Sequence, residues 1–123
     1  MDLNTILCVD DDADVQQLLM LSVTQVGGWK YLQATDGKTA LALAATEKPD
    51  LILLDYTLGD TTGPELLNEL RQHPDSASIP VVFLTGDVAH REELLASDAV
   101  AVISKPIDPI DLPTQLRELA AGL

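Results

Sequence analysis

The stretch TILCVDDD, at residues 5–12, places a run of β-branched and apolar residues directly before three aspartates. A run without polar alternation is typical of a strand that is buried on both faces, and such strands occur in parallel sheets that helices cover on both sides. Side chains that follow the strands of an open parallel sheet lie at the edge where ligands bind. The stretch therefore predicts an α/β protein with charge concentrated at the end of its first strand.

Four more β-branched or apolar runs follow, and a segment with helical spacing comes after each of them. The runs are Tyr31–Ala34, Leu51–Leu54, Val81–Leu84 and Val100–Ile103. Strands that alternate with helices in this way indicate five βα units. Because crossovers between parallel strands are right-handed, we predict a doubly wound, five-stranded parallel sheet with the flavodoxin-like strand order 2-1-3-4-5.

The predicted helices begin at side chains that can cap their first amide groups. Thr62 and Glu65 have the spacing of a capping box, and Pro64 fits the first turn of the same helix. The other predicted caps are Asp12, Asp36, Asp87 and Asp111. In the first helix, the spacing predicts that one stripe faces the sheet, made of Val15, Leu18, Leu19, Ser22 and Val26.

Length and composition indicate how many domains the chain forms. The chain has 123 residues, of which 46% are apolar, and a chain of this size can be stabilised by one hydrophobic core. Neither a low-complexity tract nor a Ser/Gly-rich linker interrupts the sequence. We therefore predict that residues 1–123 form a single domain.

The net charge of the chain limits the classes of partner that we predict for it. Twenty acidic residues against seven basic ones give a formal net charge of −13, which repels phosphate backbones and anionic bilayers, so neither nucleic acid nor a membrane is a predicted partner. Cys8 is the only cysteine, and the N-terminus lacks the basic and apolar segments of a secretory signal. A cytoplasmic location is therefore predicted.

Polar residues stand just beyond four of the five predicted strands. They are Asp10, Asp11 and Asp12 after the first strand, Asp55 at the end of the third, Thr85 after the fourth and Lys105 after the fifth. Because the carboxyl ends of parallel strands meet at one edge, we expect these side chains to converge on one crevice.

The types of these residues indicate phosphoryl chemistry. Carboxylates crowded at one place repel each other, and a divalent cation relieves the repulsion. Oxygen ligands favour Mg²⁺, with Mn²⁺ as the alternative, over zinc. Lys105 and the Thr85 hydroxyl can receive the remaining oxygens of a phosphoryl group, so the carboxylate of Asp55 can act as the nucleophile and carry that group as an acyl phosphate.

The chain resembles the receiver domains of two-component response regulators from end to end. The resemblance is carried by four motifs in order: ILCVDDD at 6–12, LILLD at 51–55, VVFLTG at 81–86 and SKP at 104–106. It implies that Asp10 and Asp11 hold Mg²⁺ together with Asp55 and the backbone carbonyl of Thr57. It further implies that Asp55 is the phosphoacceptor, Thr85 the switch hydroxyl and Lys105 the phosphoryl-binding cation, with a cis bond before Pro106.

The resemblance also implies the partners. A histidine kinase or a histidine phosphotransfer protein is the expected phosphoryl donor, and the domain is expected to regulate other proteins and not to be an enzyme. Output is expected through the fourth helix, fifth strand and fifth helix, and phosphorylation is expected to allow a dimer to form.

Three positions depart from the pattern of the family. Leu58 and Gly59 stand where receivers usually carry Met-Pro, which predicts a more flexible loop, and Asp98 stands where many have glycine. Val102 replaces the aromatic residue that often moves inward behind the switch hydroxyl. This last change motivates a competing hypothesis, a module of the same fold that binds proteins without being phosphorylated.

Two more interpretations of these residues stay open. A haloacid-dehalogenase-type phosphatase also carries an aspartate after an apolar strand, but the second aspartate of that motif is replaced here by Thr57. The aspartates after the first strand could be no more than solvated helix caps, with Lys105 merely neutralising Asp55. We assign no chemistry to Cys8, His73 or His90.

Overall fold

The computed structural model describes residues 1–86 and 88–123. Its five parallel strands are β1 (Thr5–Val9), β2 (Lys30–Ala34), β3 (Leu51–Asp55), β4 (Val81–Thr85) and β5 (Ala101–Ser104). They form one sheet in the order β2-β1-β3-β4-β5. The predicted fold class and strand order are therefore confirmed.

Helices connect successive strands and cover both faces of the sheet. They are α1 (Ala13–Leu21), α2 (Gly37–Glu47), α3 (Gly63–Gln72), α4 (Arg91–Leu95) and α5 (Leu112–Ala121). A π-helical turn, Ser22–Val26, continues α1, and a 3₁₀ turn, Val88–His90, precedes the short α4. Across the described ranges, none of these helices has the length and apolar character that crossing a bilayer requires.

Alternate residues of the central strands supply two separate cores. On one face, Leu7, Ile52 and Phe83 pack with buried residues of α2, α3 and α4. On the other face, Cys8 and Leu53 pack with α1 and α5. Because both faces are covered, almost every residue of β1, β3 and β4 is buried, which explains the continuous apolar runs in the sequence.

Three predicted caps are confirmed. Asp12 accepts hydrogen bonds from the backbone N–H groups of Asp14 and Val15, Asp36 accepts one from Thr39, and Thr62 accepts one from Glu65. The hydrogen bonds lower the pKa of Asp36 from its ordinary value. The predicted cap at Asp87 lies outside the described residues.

The predicted cap at Asp111 is wrong in its mechanism. Asp111 is the residue that precedes α5, but its side chain makes no capping hydrogen bond. The carboxylate of Asp108 instead accepts the N–H groups of Ile110 and Asp111, at 3.0 and 3.3 Å. Asp108 therefore orders the turn before α5, because an aspartate readily bonds the backbone two or three residues ahead.

The predicted inner stripe of the first helix is only partly right. Leu19 and Ser22 are buried as predicted, but Leu18 and Val26 are exposed. Gln16 and Val23 are buried instead. Two features change the stripe: hydrogen bonds to backbone carbonyls draw the amide of Gln16 inward, and the π-helical turn alters the helical phase after Leu21.

The two cores allow a matched test of burial. Leu53 is 0% exposed in a central strand, whereas Leu95 is 55% exposed. We expect Leu53→Ala to lower the free energy of unfolding by about 2–5 kcal/mol, and Leu95→Ala to change it by less than about 0.5 kcal/mol. Urea unfolding measures both, and equal losses would contradict the described packing.

Candidate functional site

The carboxyl ends of four strands bring the predicted site residues to one edge of the sheet. Asp10 follows β1, Asp55 ends β3 and Thr85 ends β4, and these three strands are neighbours. Lys105 follows β5, and its backbone N–H donates to the carbonyl of Thr85 at 2.8 Å. The side chains of Asp10, Asp55 and Lys105 converge as expected.

Three carboxylates form an acidic cluster at this edge. Asp10, Asp11 and Asp55 each contribute an oxygen, and these oxygens lie within 4.8 Å of one another. Asp10 is 1% exposed, Asp55 is partly buried and Asp11 is exposed, so the cluster opens from the protein interior towards solvent. An open set of carboxylate oxygens fits a hard divalent cation that keeps some of its ligand positions for water or substrate.

Lys105 reaches into the cluster. Its Nζ donates to Asp10 Oδ2 at 2.9 Å and to Asp55 Oδ1 at 3.0 Å. Burial acts to lower the pKa of Lys105, but the hydrogen bonds and charges of the two carboxylates outweigh it, and the pKa is raised. The ammonium group is therefore firmly protonated between two carboxylates.

One ammonium group does not fully offset the acidic charge. Burial, followed by the charge of Asp10, raises the pKa of Asp55 above its ordinary value, although the hydrogen bond from Lys105 acts in the opposite direction. In the protein without a cation, the charged form of Asp55 is thus less favoured than it is in a free aspartate. A further positive charge would stabilise this site.

Asp12 does not belong to the cluster. Its carboxylate caps α1, and its backbone N–H donates to Asp10 Oδ1 at 2.9 Å. Of the three successive aspartates, two therefore face the cluster while the third fixes the start of the helix. Asp12 thus takes its predicted role as a cap and does not join the convergence that we expected of all three aspartates.

The remaining predicted residues lie close to this edge. Thr85 is buried, and Thr57 is exposed in the loop after β3, where it pairs with Thr62. The bond between Lys105 and Pro106 is cis, as the resemblance implied. The ligand role of the Thr57 carbonyl and the switch role of Thr85 stay predictions.

A glycine permits α3 to begin against the acceptor strand. A Cβ atom at Gly63 would lie 2.6 Å from the carbonyl oxygen of Asp55 and 2.7 Å from the ring of Phe83. Because real Cβ atoms do not approach so closely, only glycine fits here. The position of the loop between β3 and α3 therefore depends on Gly63.

Sequence reasoning missed Gln16, which is buried beneath the cluster. Its Nε2 donates to the carbonyl oxygens of Cys8, Asp10 and Ala34, and its Oε1 accepts the hydroxyl of Tyr31. Burial, aided by the negative charge of Asp10, raises the pKa of Tyr31 and keeps this hydroxyl a donor. A glutamine three residues before Leu19, on the inner face of α1, was the available signal.

A second missed group lies beside the acceptor. The ring of Tyr56 stacks on His90 with 4.1 Å between centroids, and its hydroxyl donates to Glu93 Oε2 at 3.2 Å. His90 Nδ1 lies 3.4 Å from the same carboxylate oxygen. These contacts join the end of β3 to α4. His90 and Glu93 have helical i,i+3 spacing, but nothing in the sequence spacing pairs Tyr56 with them.

The three departures from the family pattern have structural counterparts. Leu58 is buried in the core, and its N–H donates to the carbonyl of Thr61, so one end of that loop is anchored. Asp98 pairs with Arg71 of α3 at 2.8 Å. Val102 is partly buried against the core that α2, α3 and α4 share. The predicted flexibility at Gly59 stays a prediction.

Comparison with known proteins identifies the class. Residues 6–117 match the family described as the response regulator receiver domain. The chain therefore belongs to the response regulator receiver domains, which are signal-transduction domains of two-component systems.

Relatives and solved structures agree with this assignment. The phosphate regulon transcriptional regulatory protein PhoB of Pseudomonas aeruginosa is 34% identical over 115 residues, or 92% of this chain and 50% of PhoB. The response regulator protein of Burkholderia multivorans has 35% identity and a TM-score of 0.73, with 97% of this chain and 96% of that chain covered. The chemotaxis protein CheY4 of Vibrio cholerae has 27% identity and a TM-score of 0.84, with 96% and 99% covered. The chain spans about half the length of the first curated relatives that it matches.

The raised pKa of Asp55 predicts how the free energy of unfolding depends on pH. Because the folded-state pKa of Asp55 is raised, its charged form costs stability at pH values above that pKa. In the presence of EDTA, we expect Asp55→Asn to increase the free energy of unfolding at neutral pH. The increase should disappear as the pH falls below the ordinary pKa of aspartate, where both states of the wild-type side chain are protonated.

Urea unfolding at several pH values measures this difference. Asp14→Asn is the control, because Asp14 is exposed and lies outside the cluster. An Asp55→Asn protein that is less stable than the wild type at neutral pH would contradict the described charge balance.

Proposed function

We propose that this domain is a phosphoacceptor that takes a phosphoryl group from a phosphohistidine onto Asp55. The observation that carries the proposal is the cluster of Asp10, Asp11 and Asp55 with Lys105 bonded to two of its members. A structural ion pair needs only one carboxylate for one ammonium group. An excess of carboxylates at an open edge is instead suited to a second, exchangeable cation.

The residues present fit Mg²⁺, with Mn²⁺ as the alternative. Carboxylate oxygens of Asp10, Asp11 and Asp55 would hold the ion, and the backbone carbonyl of Thr57 would add a neutral oxygen. When bound, the ion neutralises negative charge on the phosphoryl oxygens and on the acceptor. The raised pKa of Asp55 supports this role, because a cation would stabilise the ionised, nucleophilic form of its carboxylate.

The transfer itself needs little covalent chemistry from the protein. A carboxylate oxygen of Asp55 forms the new O–P bond while the N–P bond of the donor breaks. The bonding electrons return to the ring nitrogen, and the donor leaves as neutral imidazole because its other ring nitrogen carries a proton. No general base is required, because a carboxylate attacks without losing a proton. Lys105 and the Thr85 hydroxyl would bind the equatorial oxygens of the phosphoryl group.

The donor must reach the carboxyl edge of the sheet, so it must dock on the surfaces that flank that edge. Helix α1 begins there and exposes the apolar side chains of Leu18, Met20 and Leu21. Ile110 is 69% exposed in the loop before α5, and this loop is tied to the end of α1 by a 2.7 Å hydrogen bond from Ser22 Oγ to the carbonyl of Pro109. A histidine kinase or a histidine phosphotransfer protein is the proposed partner for this surface.

The proposed output is regulatory. We propose that residues 1–123 are one receiver domain that acts on a protein partner through α4, β5 and α5, with a phosphorylation-linked dimer as one means of doing so. The net charge of −13 argues against nucleic acid binding by this domain itself. We propose this role for the domain alone and not for a longer protein that contains it. PhoB, for comparison, is about twice as long as this chain.

A direct test uses acetyl phosphate or a beryllofluoride mimic. With Mg²⁺ present, we expect intact-mass measurement after acetyl phosphate to find one added phosphoryl group, and EDTA to abolish it. Asp55→Asn should remove the modification completely, because an amide cannot act as the nucleophile. Asp11→Asn should weaken Mg²⁺ binding, whereas Asp14→Asn should leave both properties unchanged.

Three outcomes would contradict the proposal. A mass gain that survives in Asp55→Asn would move the acceptor elsewhere. Absence of both Mg²⁺ binding and modification would favour a binding module that works without phosphorylation. Sustained turnover of a generic phosphate ester by the wild type would instead favour a phosphatase.

A further inference from the structure

Gln16 lies on α1 with its side-chain amide inserted between the ends of β1 and β2. The residue is 3% exposed. Its Nε2 donates to the carbonyl oxygens of Cys8, Asp10 and Ala34 at 3.1, 2.9 and 3.1 Å. The amide therefore holds the backbone at the point where β1 leaves the sheet and enters the acidic loop.

The orientation of this amide is determined by its surroundings. Carbonyl oxygens surround one end, so that end must be the NH₂ group, and the hydroxyl of Tyr31 meets the other end. Tyr31 belongs to β2, which pairs with β1. A rotation of the amide would face oxygen against oxygen, so Tyr31 and the strand ends together fix Gln16 in one arrangement.

A continuous set of hydrogen bonds runs from Gln16 to the acidic cluster. Gln16 binds the carbonyl of Asp10, and the carboxylate of Asp10 accepts the N–H of Asp12 at 2.9 Å. The carboxylate of Asp12 in turn caps α1, the helix on which Gln16 lies. The loop that carries Asp10 and Asp11 is thus tied to the helix at both of its ends.

Mutual repulsion among the carboxylates acts against this geometry. Ligand oxygens of Asp10, Asp11 and Asp55 lie within 4.8 Å of one another, and the one ammonium group among them, that of Lys105, pairs with Asp10 and Asp55. Like charges at this distance favour any movement of the loop that separates them. A loop that relaxes outward must be drawn back whenever a cation binds, which weakens the affinity.

We propose that Gln16, fixed by Tyr31, is a positioning residue that holds the Asp10–Asp11 loop in the geometry that binds the divalent cation. This inference rests on the proposed function. Gln16 touches neither the cation nor the phosphoryl group in this role, and it acts through the backbone of Asp10. Outer contacts of this kind set the affinity of metal sites by holding the ligands in place.

A purely structural role gives a different expectation. Buried carbonyl groups need hydrogen-bond donors wherever they occur, and the two N–H hydrogens of Gln16 are shared among three of them. With a purely structural role, loss of these hydrogen bonds would lower the stability of the protein without altering the affinity of the folded protein for Mg²⁺. Affinity measured at matched stability therefore separates the two roles.

The test compares Gln16→Met with a control at the opposite edge of the sheet. Methionine keeps the length of the side chain and removes its donors. Ser76→Ala also removes a buried donor, since Ser76 Oγ bonds the carbonyl of Leu70 at 2.7 Å, but Ser76 lies in the loop before β4. Titration calorimetry with Mg²⁺, at a temperature where all variants are folded, should give a dissociation constant about 10–100-fold higher for Gln16→Met and unchanged for Ser76→Ala.

A second variant and a second measurement keep the test decisive if the Gln16→Met protein does not fold. Tyr31→Phe removes only the hydroxyl that fixes Gln16, so we expect a smaller increase in the dissociation constant. In the cation-free protein, exchange of the Asp12 amide hydrogen should be faster in both Gln16→Met and Tyr31→Phe than in Ser76→Ala, because the loop is less restrained.

The outcomes distinguish the inference from the function on which it rests. A wild-type protein that binds no Mg²⁺ would overturn the proposed function. Wild-type binding together with unchanged affinity in Gln16→Met would overturn the positioning role and leave the function intact. If Gln16→Met does not fold, unchanged affinity and unchanged Asp12 exchange in Tyr31→Phe would overturn it equally.

Discussion

The meeting of three carboxylates with one ammonium group is the interaction on which the rest of this structure depends. Asp10 is almost fully buried, and a buried carboxylate is costly unless it is paired. Its partner, Lys105, follows β5, which lies three places from β1 in the sheet. The strand order brings the carboxyl ends of these strands to one edge, which lets this pair form.

Carboxylates held so close together repel one another, so the site persists only because the rest of the fold resists this repulsion. The cores on the two faces of the sheet fix the strands from which the charged residues project. Repulsion between the carboxylates can therefore displace only the loops. The loops have restraints of their own: the Asp12 cap, the amide of Gln16 and the close packing at Gly63. Rigid surroundings of this kind keep unfavourable electrostatics available for binding a cation.

The contacts next to the acceptor differ from the pattern expected of the family. Val102 packs partly buried against the core and offers no aromatic ring behind Thr85. The aromatic side chain at this edge is instead Tyr56, which connects the end of β3 to the start of α4 through His90 and Glu93. Helix α4 has five residues, and Glu93, which accepts the Tyr56 hydroxyl, is one of them.

The sequence by itself determined the fold and the members of the cluster, because both follow from local rules. Apolar runs predict buried parallel strands, and residues after such strands must meet at one edge, as Asp10, Asp55, Thr85 and Lys105 do. Only the tertiary structure decided that Gln16 turns inward in place of Leu18 and that Tyr56 meets His90. Those outcomes depend on hydrogen bonds and packing between segments far apart in the chain, which no local pattern encodes.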